Sequence, residues 1–414
     1  MNHKHVKAGP LAIGMACALG LAAVPAHGLE IDPHVAPQVD IGGRALVTAK
    51  LHRQDLAAGG SDTDRELEFA DSSLLFGFSK YLFDSERYGF AAIGFKALED
   101  EDDHDIRDDI YLHQLFAGIG GKRYEMRMGR SNLPNSLVAF PTLRDDDLMD
   151  FTHVGNAFSH AHDEVYQLYG GLIQGTWFWP TQRLSATGSL IARTETDGSG
   201  SRTGSSNFNG YNLRLAYDVP EAIKFDRGLR YAALGWDRQD LKDGQGELDA
   251  IQLGAVFNLN DNPEATWNLD LQASWINGVT VPDLASLNHR SKASQKSMVM
   301  ALRYGHRPWL QTRWQAALNL AWKDYDDFAN ASAWTVAPSL MYQLGSGVNA
   351  MAQYQYRSQA STLAAATGSE RDQRLYLGLS FDFDHTMNKQ MGNRQGIMSL
   401  EHNMLDVGPA RGGH

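Results

Sequence analysis

A chain of 414 residues of which 43% are apolar is long enough to bury a large core, and it carries a formal charge of −12. Beyond its N-terminal segment, no stretch reaches the roughly 20 apolar residues that a membrane-spanning helix needs, which excludes a helical membrane protein. The excess of acidic residues argues against a nucleic-acid partner, and we expect none.

The N-terminus has the three parts of an export signal. Two lysines form a basic region, residues 11–24 form an apolar region, and Ala26-His27-Gly28 forms a small-x-small cleavage site. The sequence therefore predicts a signal peptide over residues 1–28. The only cysteine, Cys17, lies inside the apolar region, so we expect no disulfide, no thiol ligand and no cofactor in the mature chain. A lipoprotein cysteine is the alternative, but the apolar run continues past Cys17.

From Gln38 to Phe383 the sequence alternates between apolar and polar residues in segments of about ten residues, separated by breaks that contain Gly, Asn, Asp or Pro. The clearest segment is 266–278, whose apolar positions are Trp267, Leu269, Leu271, Ala273 and Trp275. The segment 313–323 repeats this pattern between two further tryptophans. Eight residues of a tilted strand span about 20 Å, so each tryptophan pair fits two aromatic girdles at membrane interfaces.

Sixteen strands are predicted, beginning near Gln38, Glu66, Arg87, Asp109, Tyr124, Val165, Arg183, Phe208, Leu229, Leu248, Thr266, Lys296, Thr312, Ala333, Val348 and Arg371. Short and long breaks alternate between them, and the long ones are 56–65, 99–108, 132–164, 279–295 and 359–370. Short periplasmic turns and long external loops are typical of outer-membrane barrels. The sequence thus predicts an all-β fold, a transmembrane antiparallel β-barrel of about 16 strands over residues 29–383.

Two sequence features resemble the Gram-negative general porin superfamily. A long third external loop follows Met126-Arg127-Met128-Gly129-Arg130, and the last strand ends in 376–383, which is similar to the terminal signal read by the barrel-assembly machinery. The resemblance implies a barrel in the outer membrane, surrounded by lipid and lipopolysaccharide, that conducts small polar solutes and forms a homotrimer. Porins normally end at the terminal aromatic residue. Residues 384–414 are therefore expected to be a flexible periplasmic tail, with a plug or partner-binding segment as the alternative.

The third loop, residues 132–164, is the candidate working site because it is too long for a structureless connection in a compact protein. The resemblance implies that it folds into the lumen and narrows the pore, whereas a solvated acidic loop outside the pore is the alternative. The predicted constriction combines acidic loop residues with basic residues that the alternation places on the lumen side: Asp145, Asp146, Asp147, Asp150, Arg127, Arg214, Arg303 and Arg357. Charges so opposed would set up a transverse field that orients dipolar solutes.

The resemblance implies a porin, a passive diffusion channel for small polar or charged solutes. A substrate-selective channel for anions or small organic solutes is the closest alternative, which the basic lumen favours, and a structural or secretion-partner barrel is another. The sequence has no Gly-x-Ser-x-Gly, His-Glu-x-x-His or phosphate-binding glycine motif, so we expect no enzyme. A rim hydrolase would have to use His113 or His289. Loop histidines 153, 160 and 162 match no closed metal site, and no metal is expected.

Overall fold

The computed structural model of the protein describes most of the predicted barrel. It covers residues 37–68, 72–82, 87–97, 110–130, 137–138, 140, 171–179, 183–193, 207–219, 226–240, 247–262, 265–280, 292–305, 314–345 and 347–387. The described strands are β1 (Gln38–Leu56), β2 (Ser61–Glu68), β3 (Ser73–Tyr81), β4 (Tyr88–Ala97), β5 (Ile110–Gly120), β6 (Tyr124–Arg130), β7 (Gly171–Trp179), β8 (Leu184–Arg193), β9 (Asn207–Asp218), β10 (Gly228–Asp240), β11 (Glu247–Asn258), β12 (Thr266–Thr280), β13 (Lys292–Gly305), β14 (Trp314–Tyr325), β15 (Ser332–Gly345), β16 (Val348–Gln359) and β17 (Ser369–Met387).

The strands close into a single barrel. From β3 onward each strand pairs antiparallel with the next in the chain, and β17 pairs with β1 to complete the circle. Both β2 and β3 lie beside β1, β2 along Thr48–Asp55 and β3 along Gln38–Arg44. These two segments are parts of one barrel strand, so the barrel has sixteen strands. The predicted all-β barrel is confirmed.

One predicted external loop is instead an extended hairpin. The sequence predicts a long loop over 56–65, but β1 continues to Leu56 and β2 begins at Ser61, joined by the turn 57–60. Gly59 and Gly60 have φ angles of +90° and +100°, which only glycine adopts readily and which allow the chain to reverse tightly. The hairpin is strongly polar on both faces, and this obscures the strand period in the sequence.

The barrel is polar inside and apolar outside, the reverse of a soluble protein. Along β12, Asn268 and Gln272 are 1% exposed, whereas Trp267 is 42% and Trp275 is 40% exposed. β14 repeats this arrangement, with Asn319 buried. An outward apolar belt is stable only against lipid, and inward polar side chains need the partners that a wet or hydrogen-bonded lumen provides. The predicted assignment of faces on these strands is confirmed.

Aromatic pairs mark both edges of the apolar belt. Trp267 and Tyr304 lie with ring centroids 5.0 Å apart, and Trp314 and Tyr342 lie 4.5 Å apart near the short-turn end of the barrel. Near the opposite end the centroids of Trp334 and Tyr356 are 5.2 Å apart. Tryptophan and tyrosine prefer membrane interfaces because their rings are apolar and their N–H or O–H groups reach water.

The connection between β16 and β17 forms a short helix, α1 (Ser361–Thr367), which ends at Gly368 with φ of 77°. The Ala57 amide donates to the Gly368 carbonyl (3.0 Å), and the Thr362 amide donates to the Asn330 carbonyl (3.1 Å). The helix is thereby tied to the β1–β2 turn and to the β14–β15 turn at the rim. None of the helices in the described ranges is both long and apolar enough to cross a membrane.

The final strand extends four residues beyond the predicted end of the barrel at Phe383. Residues 384–387 pair with residues 39–42 of β1, so Met387 lies opposite Val39. The rest of the predicted tail, 388–414, and the predicted signal peptide, 1–28, lie outside the described residues.

Candidate pore constriction

The beginning of the third loop folds into the barrel. Leu137 and Val138 are 1% and 0% exposed, and they pack against Ala216, Tyr231, Ala233 and Val256 on the lumen face of β9, β10 and β11. Phe140 packs against the same cluster. The third loop begins after β6, so these contacts join it to a part of the wall that lies several strands away from β6. The predicted inward fold of the third loop is therefore confirmed for residues 137, 138 and 140, and the rest of 132–164 lies outside the described residues.

Glycines in the wall make room for this segment. A Cβ atom on Gly254 would lie 2.8 Å from the Leu137 Cβ and from the Val138 Cγ2, and one on Gly235 would lie 3.2 Å from a Leu137 methyl group. The wall at these two positions is bare backbone on its inner face. Leu137 and Val138 fill that space, which satisfies the close packing of protein interiors.

Polar groups fix the backbone of the same segment. The Gln272 Oε1 accepts hydrogen bonds from the backbone amides of Leu137 (3.0 Å) and Val138 (3.2 Å). The Arg214 guanidinium donates to the Leu137 carbonyl (3.4 Å) and also to the Tyr231 hydroxyl. Buried backbone amides are costly when unpaired, so these contacts hold Leu137 and Val138 at one place on the wall. We call Gly235, Gly254, Gln272 and Arg214 the loop anchor.

The structure places the four predicted arginines on the lumen side of the barrel, in four different environments. Arg303 is buried in an ion pair with Asp270 (2.5 Å), and Arg214 belongs to the loop anchor. The Arg357 Nε donates to the Thr335 Oγ1 (3.4 Å). The Arg127 guanidinium lies 5.4 Å from the centre of the Phe116 ring. The predicted acidic partners, Asp145, Asp146, Asp147 and Asp150, lie outside the described residues.

Other lumen cations of the wall are paired with acids. The Arg44 Nε lies 2.8 Å from the Asp382 carboxylate, and the Lys50 Nζ lies 3.1 Å from the Glu66 carboxylate. A third group joins β1 and β17, where Asp372 accepts from Arg374 at 3.0 and 3.1 Å and lies 3.2 Å from the His52 imidazole. Around β1 the lumen wall therefore alternates positive and negative groups across adjacent strands instead of presenting a continuous basic surface.

Three lumen acids of this wall were missed by the sequence analysis: Glu66, Asp237 and Asp372. Asp237 is buried and accepts a hydrogen bond from the Asn212 amide. A bulge between Leu229 and Tyr231 shifts the alternation of β10, so that odd-numbered residues face the lumen beyond it. Glu66 and Asp372 were missed because the predicted strands start at or just before them, where alternation does not yet define a face. The two strands in fact begin earlier, at Ser61 and Ser369.

No set of three His, Cys, Asp or Glu side chains gathers into a metal site within the described ranges. The loop histidines His153, His160 and His162, considered as metal ligands in the sequence, lie outside those ranges, as does His289. The side chains that can act on a solute in the described lumen are guanidinium, ammonium, carboxylate, amide and hydroxyl groups, together with the His52 imidazole and a few aromatic rings.

Solved structures share this architecture at low sequence identity. An anion-selective porin from Comamonas acidovorans is 16% identical with a TM-score of 0.56, and the match covers 83% of this chain and 99% of that chain. The outer membrane channel DcaP of Acinetobacter baumannii is 12% identical with a TM-score of 0.54, covering 84% and 98%. OmpT, an outer membrane protein of Vibrio cholerae, matches in its trimer form at 11% identity and a TM-score of 0.52, covering 84% and 100%.

No protein-family model matches the sequence, and no curated protein matches it significantly. The structural likeness spans nearly the whole length of each matched chain, so the entire barrel is shared. The fold is that of the porins. This fold, together with the outward apolar belt, places the protein in the outer membrane of a Gram-negative bacterium.

Proposed function

We propose that the protein is an outer-membrane porin, a passive diffusion channel for small polar or charged solutes. The observation that carries this proposal is the third-loop segment held against the inner wall by the loop anchor. A loop fixed inside a polar barrel narrows the passage and leaves the remainder of the lumen to water. Such a passage excludes large and apolar solutes by size and by the cost of removing charged wall groups from water.

The constriction itself is formed by the loop acids Asp145, Asp146, Asp147 and Asp150 on one side. Facing them are the lumen arginines Arg127, Arg214, Arg303 and Arg357. Opposed charges across a narrow, partly dehydrated passage produce a transverse field, because local screening there is weaker than in bulk water. Polar solutes align with such a field, whereas apolar solutes gain nothing from it.

An anion-preferring channel is the second candidate, and two arginines favour it. Arg127 and Arg214 have no carboxylate within ion-pair distance among the described residues, whereas Arg303, Arg44 and Lys50 are paired. The carboxylates of Glu125 and Asp237 interact electrostatically with these two arginines without forming an ion pair, so both guanidinium groups can still raise the local concentration of anions. The matched porin from Comamonas acidovorans is described as anion-selective, which is consistent with this second candidate.

Conductance in a planar bilayer tests the channel, and the reversal potential in a KCl gradient tests the constriction. Purified protein should give steady ohmic steps. Replacing the four loop aspartates with Asn should raise the relative permeability to chloride, and Arg127→Gln with Arg357→Gln should lower it. If neither variant changes selectivity or conductance, the predicted constriction is wrong. A complete absence of steps from folded protein would favour the structural or secretion-partner barrel.

The partners follow from the same proposal. The apolar belt lies in outer-membrane lipid with lipopolysaccharide in the external leaflet, and the barrel-assembly machinery inserts the chain. We also infer a homotrimer, as in the trimer form of the matched Vibrio cholerae protein. Mass measurement of the protein in detergent before and after heating would detect three copies, and a monomer at every detergent concentration would contradict the trimer.

A further inference from the structure

The inner wall formed by β4, β5 and β6 is aromatic where most of the lumen is polar. Tyr88, Phe90 and Phe116 point inward, with ring centroids 5.8 Å apart for Tyr88 and Phe90 and 6.1 Å apart for Phe90 and Phe116. The Phe90 ring lies where a Cβ atom on Gly118 would be, so it rests on the bare backbone of β5. This wall is therefore largely apolar. Its rings are not coplanar, since Phe90 and Phe116 meet edge to face at 74°, and the Tyr88 hydroxyl donates to the Glu125 carboxylate (3.2 Å).

Arg127 lies at the edge of this aromatic wall. In the strand register Phe90, Gly118 and Arg127 form one row across β4, β5 and β6. The Arg127 side chain is 6% exposed, its guanidinium lies over the Phe116 ring, and its Nε has no hydrogen-bond partner. A cation over an aromatic face is held in position, and here the contact leaves the Nε–H of Arg127 without an acceptor. A buried donor without an acceptor is unfavourable unless a ligand or water occupies the site.

A second polar group on the same wall is also unpaired. Gln114 lies two residues before Phe116 on the lumen face, it is fully buried, and neither its Nε2 nor its Oε1 has a hydrogen-bond partner. An amide in such a place can donate to an anion and accept from a hydroxyl group. Arg127 and Gln114 therefore flank the Phe116 ring with unused hydrogen-bonding capacity.

We propose that Arg127, Phe116 and Phe90, with Gln114 beside them, form a binding site for carboxylates that carry a flat apolar body. The carboxylate accepts two hydrogen bonds from the guanidinium, the geometry that arginine favours for this group. The body of the ligand then lies against the two phenylalanine rings and gains their apolar contact. This inference rests on the proposed channel function and deepens it, because it names a class of solute that pauses during passage.

Benzoate, acetate and chloride separate the two parts of the site. Acetate can satisfy the guanidinium but has no ring to lie on the aromatic wall, and chloride has a single acceptor atom where a carboxylate has two. Benzoate added to a KCl solution should therefore reduce the chloride current in a saturable manner. Acetate should need a concentration several-fold higher for the same reduction, since apolar contact with two rings adds to binding.

Variants of the wild-type channel assign the effect to this site. Arg127→Gln should weaken the benzoate block about tenfold or more, as expected for loss of a charge-assisted hydrogen-bond pair. Phe116→Leu should bring the blocking concentration of benzoate close to that of acetate. Lys323→Gln is the matched control, since Lys323 is an equally buried lumen cation that lies near the Tyr325 ring on β14, and it should retain the benzoate preference.

Each outcome bears on a different claim. Equal block of the wild type and Arg127→Gln by benzoate, in variants that still conduct KCl, would overturn the site. Equal potency of benzoate and acetate on the wild type would overturn the role of the rings. Loss of block in Lys323→Gln as well would indicate a general effect of lumen charge and would also contradict the proposal. Absence of KCl conductance in the folded wild type would contradict the porin function instead.

Discussion

At the scale of single residues, the position of Leu137 and Val138 depends both on wall glycines that have no side chain and on a wall side chain that accepts hydrogen bonds. Gly235 and Gly254 present bare backbone to the lumen, and Leu137 with Val138 fill the space. Gln272 then pairs the two amides that burial would otherwise leave without acceptors. Apolar packing and hydrogen bonding thus select the same position on the wall for Leu137 and Val138.

A methyl group at Gly254 should loosen the loop anchor. In Gly254→Ala the new Cβ would lie 2.8 Å from Leu137 and Val138, closer than side-chain carbons approach. Overpacking of this kind costs about 1–3 kcal/mol, and Leu137 and Val138 would have to shift away from the wall to relieve it. We expect greater open-channel noise and an altered conductance in bilayer recordings. Gly305→Ala is the control, because a Cβ there meets no atom within 4 Å, and it should behave as the wild type. Unchanged recordings for Gly254→Ala would mean that the loop does not control the current.

At the scale of elements, alternation predicts a strand well only while the period of two is unbroken. β12 and β14 have no irregularity where both faces were predicted, and inward and outward residues agree with the structure. β10 contains a bulge near its start, and Asp237 was consequently missed as a lumen acid. Strands with two apolar faces are a second case in which alternation does not predict the face. β3, β4 and β5 have apolar side chains on both faces, since rings such as Phe116 line the lumen, so the pattern there does not distinguish lipid from lumen.

Two adjacent residues of β14 test the assignment of faces. Leu318 is 38% exposed, midway between the outward Trp314 and Trp322, whereas Ala317 is 6% exposed and faces the lumen. Leu318→Arg places a charge near the middle of the bilayer and should lower the free energy of unfolding by about 2–4 kcal/mol. Ala317→Arg directs the same charge into the lumen and should cost less. Urea titration of the barrel in lipid vesicles measures both, and equal losses would contradict the assignment.

At the scale of the whole molecule, the sequence predicts the barrel but not the contacts across its lumen. Strand number, direction and faces depend on local period and on turn residues, which are readable from neighbouring positions. The loop anchor joins Leu137 to Gln272, which are 135 residues apart, and nothing in the local pattern of either one indicates the other. Likewise the ion pairs of the lumen depend on register between strands, as for Arg44 and Asp382 across the closing seam of β1 and β17.

The closing seam also decides which part of the C-terminus the barrel needs. β17 pairs with β1 as far as Met387, and Phe381 and Phe383 stack with centroids 5.9 Å apart near its end. Truncation after Met387 keeps every described pairing, so we expect a heat-modifiable barrel in the membrane fraction. Truncation after Phe383 removes the partners of residues 39–42, and each lost backbone hydrogen bond costs about 0.5–1.5 kcal/mol. That shorter chain should assemble but unfold at a lower temperature.

Phe381→Ala in the full chain should impair insertion itself if the terminal aromatic residues are the assembly signal. Should the chain that ends at Met387 fail to insert while Phe381→Ala inserts normally, the assembly signal lies in residues 388–414 and not in the last strand.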